Sequence, residues 1–190
     1  MRICTVTLKS ATPYSQSKMI DPEVFPRKEK ETIGDFDKHM WREKATFDQH
    51  NNVCIPAMAL KMAVDEAIKR LNIGIPGRGK STYTKFFTAG QICEADVSLS
   101  IPKDDLEYID IWANADGVRG SGKRVQRRFP IVKEWAGQAR FAILDEVIPN
   151  NVFEKAITEA GRLVGIGRFR PEKGGFLGRF LVTGFEWAEV

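Results

Sequence analysis

The residues best placed to do chemistry are at positions 74–81, which read Gly-Ile-Pro-Gly-Arg-Gly-Lys-Ser and fit the phosphate-loop pattern G-x-x-x-x-G-K-[ST]. The run Phe-Ala-Ile-Leu-Asp-Glu at 141–146 resembles the apolar strand whose terminal Asp holds magnesium beside such a loop. A working phosphate loop must leave a strand and open a helix, because the helix N-terminus supplies the N–H groups and the dipole that hold phosphate. Here a periodic helix precedes the loop, and Ser-Thr-Tyr-Thr-Lys-Phe-Phe after it is rich in β-branched and aromatic residues, which predicts a strand. The octapeptide therefore reads as a helix-to-strand connector, with Arg78 and Lys80 kept as candidate phosphate contacts. His39 and His50 are the chain's two histidines and its candidates for general acid–base work, as in a metal-independent endoribonuclease.

Two further segments carry charge of one sign among glycines. Residues 117–128 hold Arg119, Lys123, Arg124, Arg127 and Arg128 with no acid, and read as a glycine-rich basic loop. Towards the C-terminus come Arg162, Arg168, Arg170, Lys173 and Arg179, interrupted only by Glu172 and interleaved with Phe169, Phe176 and Phe180. Clustered cations replace the mobile counterions of a polyanion, glycine lets phosphate approach the main chain, and aromatic faces stack on unpaired bases. A net charge of +4 is too small to argue for a polyanion partner, so the argument rests on where the charges sit. Gly165, Gly167, Gly174, Gly175 and Gly178 are expected to shape the turn, which leaves Arg168, Arg170 and Lys173 as its foremost contacts.

The elements that must position these residues are legible from periodicity. Residues 3–8 alternate as a first strand, and 10–52 form a polar excursion with one short helix near 36–44. A brief strand at 53–55 leads through Pro56 into an amphipathic helix with Ala59, Leu60, Ala63, Ala67, Ile68 and Leu71 on one face. Strands are expected at 83–87 and 91–101 as a hairpin turning near Ala89–Gly90, then at 108–113, 140–147 and 179–190. The second helix is expected to be capped by Asn150 or Asn151 and to bury Val152, Phe153, Ala156, Ile157, Ala160 and Leu163. Without the excursion and extra hairpin the order is β-α-β-β-α-β. That is an α+β, ferredoxin-like and RRM-like core with an antiparallel sheet, whose uncovered face is the one RNA-recognition modules use.

At 190 residues the chain reads as a single domain, 1–190, with 10–52 as an insertion. No apolar run approaches the roughly 20 residues a bilayer span needs. Cys4, Cys54 and Cys93 are too scattered for a metal site or disulfide framework, and are expected as free thiols in a reducing cytoplasm. No cofactor, metal or membrane partner is expected.

The segment 165–180, Gly-Ile-Gly-Arg-Phe-Arg-Pro-Glu-Lys-Gly-Gly-Phe-Leu-Gly-Arg-Phe, resembles the C-terminal glycine-rich loop of the RAMP superfamily, the ferredoxin-like RNA-binding proteins of CRISPR effector complexes. In that superfamily Gly-Phe/Tyr-Gly leads to the final strand; here Gly175-Phe-Leu-Gly178 has one residue more. The stretch 55–63, Ile-Pro-Ala-Met-Ala-Leu-Lys-Met-Ala, is similar to the opening of the first helix in backbone subunits of those complexes. The chain also looks like small uncharacterised bacteriophage proteins. The RAMP resemblance implies binding of single-stranded RNA or DNA, with self-association or protein partners in a nucleoprotein complex, and does not imply catalysis. Four readings stay open: a non-catalytic nucleic-acid-binding protein, which leads; an endoribonuclease of related fold; a phage interaction protein that targets a partner's nucleic-acid site; and a phosphate-loop NTPase.

Overall fold

The computed structural model describes residues 1–115, 120 and 122–189. In chain order the elements are β1 (Arg2–Ser10), β2 (Tyr14–Ser15), α1 (Ile33–Met40) with a 3-10 turn Trp41–Lys44, β3 (Thr46–Phe47), β4 (Asn52–Ile55), α2 (Ala57–Leu71), α3 (Thr84–Gly90), β5 (Gln91–Cys93), β6 (Val97–Pro102), β7 (Glu107–Asn114), β8 (Arg124–Val132), β9 (Ala136–Ile143), α4 (Asn150–Glu159) with a π turn Ala160–Val164, and β10 (Phe180–Glu189).

The central sheet has the order β10-β1-β9-β5, antiparallel throughout. With α2 joining β1 to β5 and α4 joining β9 to β10, this is the ferredoxin-like arrangement. Rows such as Phe141–Cys4–Trp187 and Ala139–Val6–Phe185 face the helices and build the core with Leu60, Val64, Ile68, Phe153 and Ile157. The opposite face carries the rows Arg140–Thr5–Glu186, Gln138–Thr7–Gly184, Ala142–Ile3–Ala188 and Ala136–Lys9–Leu181. None of these residues is aromatic, so among the described residues these rows carry no stacking platform of the kind RNA-recognition modules have on this face.

Two small sheets flank the core: β2-β8-β7 and β3-β4-β6. The excursion supplies α1, β2 and β3, and so is more structured than one short helix. Thr32 caps α1, its hydroxyl accepting from Asp35 N. Between these elements residues 21–30 are exposed.

Several expectations are corrected. Residues 83–87 are not a strand: α3 begins at Thr84, because Tyr83 and Phe87, four residues apart, are both buried, and Phe87 stacks on Phe153 across a 6.4 Å centroid distance. Tertiary burial has overridden β propensity there. No hairpin turns at Ala89–Gly90, since those residues belong to α3, and the strand expected at 91–101 is divided into β5 and β6 of different sheets. The strand expected at 140–147 lies at Ala136–Ile143, and Asp145 forms the next turn by accepting from Val147 N at 2.9 Å. Neither Asn150 nor Asn151 caps α4; Pro149 holds that position, and the Asn150 side chain accepts from Arg2 instead. The π turn advances the helical phase by one residue, so Val164 is buried and Leu163 is 47% exposed. Residues 117–128 are not a loop throughout, because β8 starts at Arg124.

Candidate nucleic-acid interface

The glycine-rich segment forms a compact loop sewn to the excursion. Arg168 N donates to Ser15 O (2.8 Å), Gly178 N to Pro13 O (2.8 Å) and Arg179 N to the Thr12 hydroxyl (2.9 Å). Inside the loop, Ile166 N donates to Gly178 O, Leu177 N to Phe169 O and Gly175 N to Arg170 O. These N–H groups are engaged by the protein itself. A Cβ on Gly175 would lie 1.8 Å from Phe169 O, and one on Gly178, at φ +76°, would lie 1.9 Å from Ile166 O. Phe169 itself takes the left-handed region at φ 57°. Gly165, Gly167 and Gly174 also have positive φ, and Gly167 packs on Tyr14 and Ser15.

Beside this loop lies an open cleft of about 950 Å³. One wall is the loop, with Gly167, Arg168, Phe169, Arg170 and Lys173; the other is the β7–β8 hairpin, with Trp112, Asn114 and Arg124. Gln16, Ser17, Lys18 and Thr46 from the excursion, and Pro56 and Ala59 at the start of α2, close the remainder. Trp112 is 64% exposed, which leaves an indole face for a flat ligand.

Arg168 has an unusual setting. Its guanidinium stands 4.0 Å from the Phe129 ring centroid and 4.6 Å from that of Phe169, and Nη1 donates to the Ser17 hydroxyl at 3.3 Å. Its Nε is buried without a hydrogen-bond partner. Behind it, buried Asp37 on α1 binds Lys44 Nζ (2.7 Å) and Arg127 Nε. Lys44 also donates to Arg128 O (2.7 Å) and lies over Phe129. Three cations thus crowd one carboxylate. Burial, and then Arg127 beside it, push the Arg168 pKa down. Burial outweighs the Asp37 bond and pushes Lys44 down to about 8.

The other predicted contacts divide sharply. Arg124 lines the cleft and donates to Trp112 O at 2.9 Å. Arg170 and Lys173 line it too, but both pair with Glu172 (2.8 and 2.7 Å). Arg127 is held by Asp37, and Arg128 makes a two-pronged pair with Asp110 while stacking 3.7 Å from the Tyr108 centroid. Neither lines the cleft among the described residues. Lys123 is exposed next to β8, and Arg119 lies outside the described residues. Arg179 donates from Nε to Arg162 O behind the loop. Phe180 is buried in the core and offers no stacking face, whereas Phe176 is 66% exposed. Lys18, Ser17 and Trp112 were not singled out by sequence reasoning; an aromatic at the outward-facing register of a predicted strand was the available signal.

Arg78 and Lys80 are exposed after α2 and line no part of the cleft. Their loop turns on itself: Ile75 N donates to Ser81 O, Arg78 N to Ile75 O and Ser81 N to Arg78 O. A helix does follow, but it starts at Thr84, spans seven residues, and the element before the loop is α2, not a strand. The phosphate-loop geometry is therefore absent. His39 rests against Asp35 O and Glu31 on α1, and His50 sits in the exposed turn before β4; neither lines the cleft. Among the described residues no cluster of His, Cys, Asp or Glu suits a metal, and no helix is long and apolar enough to cross a membrane. The three thiols are free and burial raises them, Cys4 to about 12 and Cys54 and Cys93 to about 11.

No protein-family model and no curated protein sequence matches the chain. Among solved structures, a chain of the type III-B Cmr-beta bound to cognate target RNA superposes with a TM-score of 0.55 at 14% identity, over 98% of this chain and 60% of that one. Cmr6 from Pyrococcus furiosus gives a TM-score of 0.47 at 12% identity, over 96% and 98% of the two chains. At 14% identity the first likeness speaks to the fold, and the two chains share the α+β, ferredoxin-like architecture.

Proposed function

We propose that this chain is a non-catalytic nucleic-acid-binding protein that holds a single strand of RNA or DNA in the cleft between the glycine-rich loop and the β7–β8 hairpin. The observation that carries this reading is the cleft itself, where Lys18, Arg124 and Arg168 face an exposed Trp112 indole without a carboxylate partner among the described residues. Cations that follow a backbone and an aromatic face that accepts any base are the two parts of a sequence-tolerant single-strand site. The fold shared with a chain from an RNA-bound assembly supports RNA as the strand and a multi-subunit complex as the setting. Copies of the chain or other subunits then lie along the strand.

The test is fluorescence anisotropy with labelled single-stranded RNA, single-stranded DNA and duplex. Single strands should bind tighter than duplex, with affinity falling steeply as salt rises. Binding that is absent, or indifferent to salt, would sink the reading. Trp112→Ala should weaken binding by about 1–3 kcal/mol with little change in the salt slope, as loss of one stacked base requires.

A further inference from the structure

We infer that the Arg168 guanidinium, with the Ser17 hydroxyl and Lys18, forms a built phosphate subsite in this cleft. The inference rests on the reading that a nucleic-acid strand occupies the cleft, and assigns one phosphodiester oxyanion of that strand to a particular place.

Several other arginines are neutralised by the chain's own acids: Arg127 by Asp37, Arg128 by Asp110, Arg140 by Glu94, Arg162 by Glu159 and Arg170 by Glu172. Arg168 has no such acid among the described residues, although it is half-buried and lies close to the like charge of Arg127. Among the described residues its guanidinium makes one hydrogen bond, to a hydroxyl at 3.3 Å, and its Nε is buried with no partner. A desolvated cation without a direct counter-charge is unfavourable, and the fold retains it by packing the guanidinium into the corner between the Phe129 and Phe169 rings, which meet edge to face. Those ring contacts hold the guanidinium in place while Ser17 and Lys18 line the same cleft. The counter-charge missing from the protein is supplied by a ligand, and a phosphate oxyanion suits a guanidinium fork. Asp37 acts on Arg168 only through space and cannot neutralise it alone, because its oxygens are bonded to Lys44 and Arg127.

Wild type, Arg168→Met, Arg168→Lys and, as a remote charge control, Lys155→Gln would be compared with a labelled single strand, with a peptide nucleic acid of the same base sequence, and with inorganic phosphate. Thermal melts would establish that each variant is folded. Arg168→Met should lower affinity for the natural strand about tenfold or more, the scale of one charge-assisted contact. It should also make the dependence of log K on log salt shallower by about 0.7, the share of one phosphate on a single strand. Arg168→Lys should keep that slope, and Lys155→Gln should change affinity little. The uncharged peptide nucleic acid should bind wild type and Arg168→Met alike. Loss of affinity with an unchanged slope, or equal loss for the uncharged backbone, would mean that Arg168 meets a base and would overturn the subsite. Should wild type bind no strand while inorganic phosphate raises its melting temperature but not that of Arg168→Met, the subsite would stand and the strand reading would fall. Binding of neither would overturn both.

Discussion

Residues 117–128 and 165–180 read alike as sequence: arginines among glycines, next to an expected strand. In the folded chain they are opposites. From Arg124 onward the first is β8, whose Arg127 and Arg128 are matched by Asp37 and Asp110, acids that lie 90 and 18 residues away in sequence. The second is a loop whose glycines allow close packing and whose Arg168 is held by aromatic rings, with no acid in a direct ion pair with it among the described residues. A local density of arginine therefore measures how much positive charge is present, and the acids that tertiary structure brings near decide how much remains for a ligand.

The largest effect is expected at Asp37. It is 1% exposed and is the shared partner of Lys44 and Arg127, so Asp37→Asn leaves two buried cations facing each other. Removing one member of a buried ion pair costs about 3–5 kcal/mol, and a denaturant melt at neutral pH should show a loss of that size. A loss below about 1 kcal/mol would place this pair with ordinary surface pairs and remove the distinction drawn for β8.

Next come the loop glycines, which separate packing from backbone conformation. Gly175→Ala places a methyl against the Phe169 carbonyl, and overpacking of that kind costs about 1–3 kcal/mol. At Gly174, with φ +77° and open space around a Cβ, only the left-handed strain of about 1–2 kcal/mol applies. Gly178→Ala combines both penalties and should be the most destabilising of the three in thermal melts. An order in which Gly174→Ala costs most would show that the loop is not packed in this way.

These contrasts also explain what the sequence could disclose. The β-α-β-β-α-β order was legible because α2 and α4 carry apolar periods that survive folding, and the central strands alternate. The α3 segment misled because Thr-Tyr-Thr-Lys-Phe-Phe has strand propensity, while burial of Tyr83 and Phe87 four residues apart selects a helix. Leu163 misled because a π turn shifts the phase, and Gly161, whose Cβ would meet Phe180 O at 2.2 Å, lets that turn approach β10. For the cleft, Arg124, Arg168, Arg170 and Lys173 were visible as clustered charge. That Arg127 and Arg128 are matched was not visible, because pairing of side chains far apart in sequence leaves no local pattern.

A smaller effect is expected at Arg128. Its pair with Asp110 is partly exposed, and its stacking on Tyr108 adds a contact at the surface, so Arg128→Gln should cost about 1 kcal/mol or less in stability. Affinity for a single strand should stay within a factor of about two, because a cation already matched by an acid releases few counterions. Loss equal to that of Arg168→Met in the same anisotropy titration would collapse the difference between the two regions into a diffuse charge effect.

The subtlest test uses pH. Burial holds Lys44 at about 8 against an ordinary 10.5, so between those values the unfolded chain binds more protons than the folded one. Stability then rises with pH through that window as far as Lys44 is concerned, and its contribution is least below about pH 8. The buried thiols act in the opposite sense: their pKa values are raised, so their contribution declines as pH climbs above the ordinary thiol value of 9.0. A single alkaline titration would mix the two, and the difference between wild type and Lys44→Met isolates the lysine. The destabilisation caused by Lys44→Met should grow as pH is raised from 8 towards 10.5, with chemical denaturation at each pH as the measurement. A difference that is flat or shrinks across that range would mean that burial does not hold Lys44 below its ordinary value.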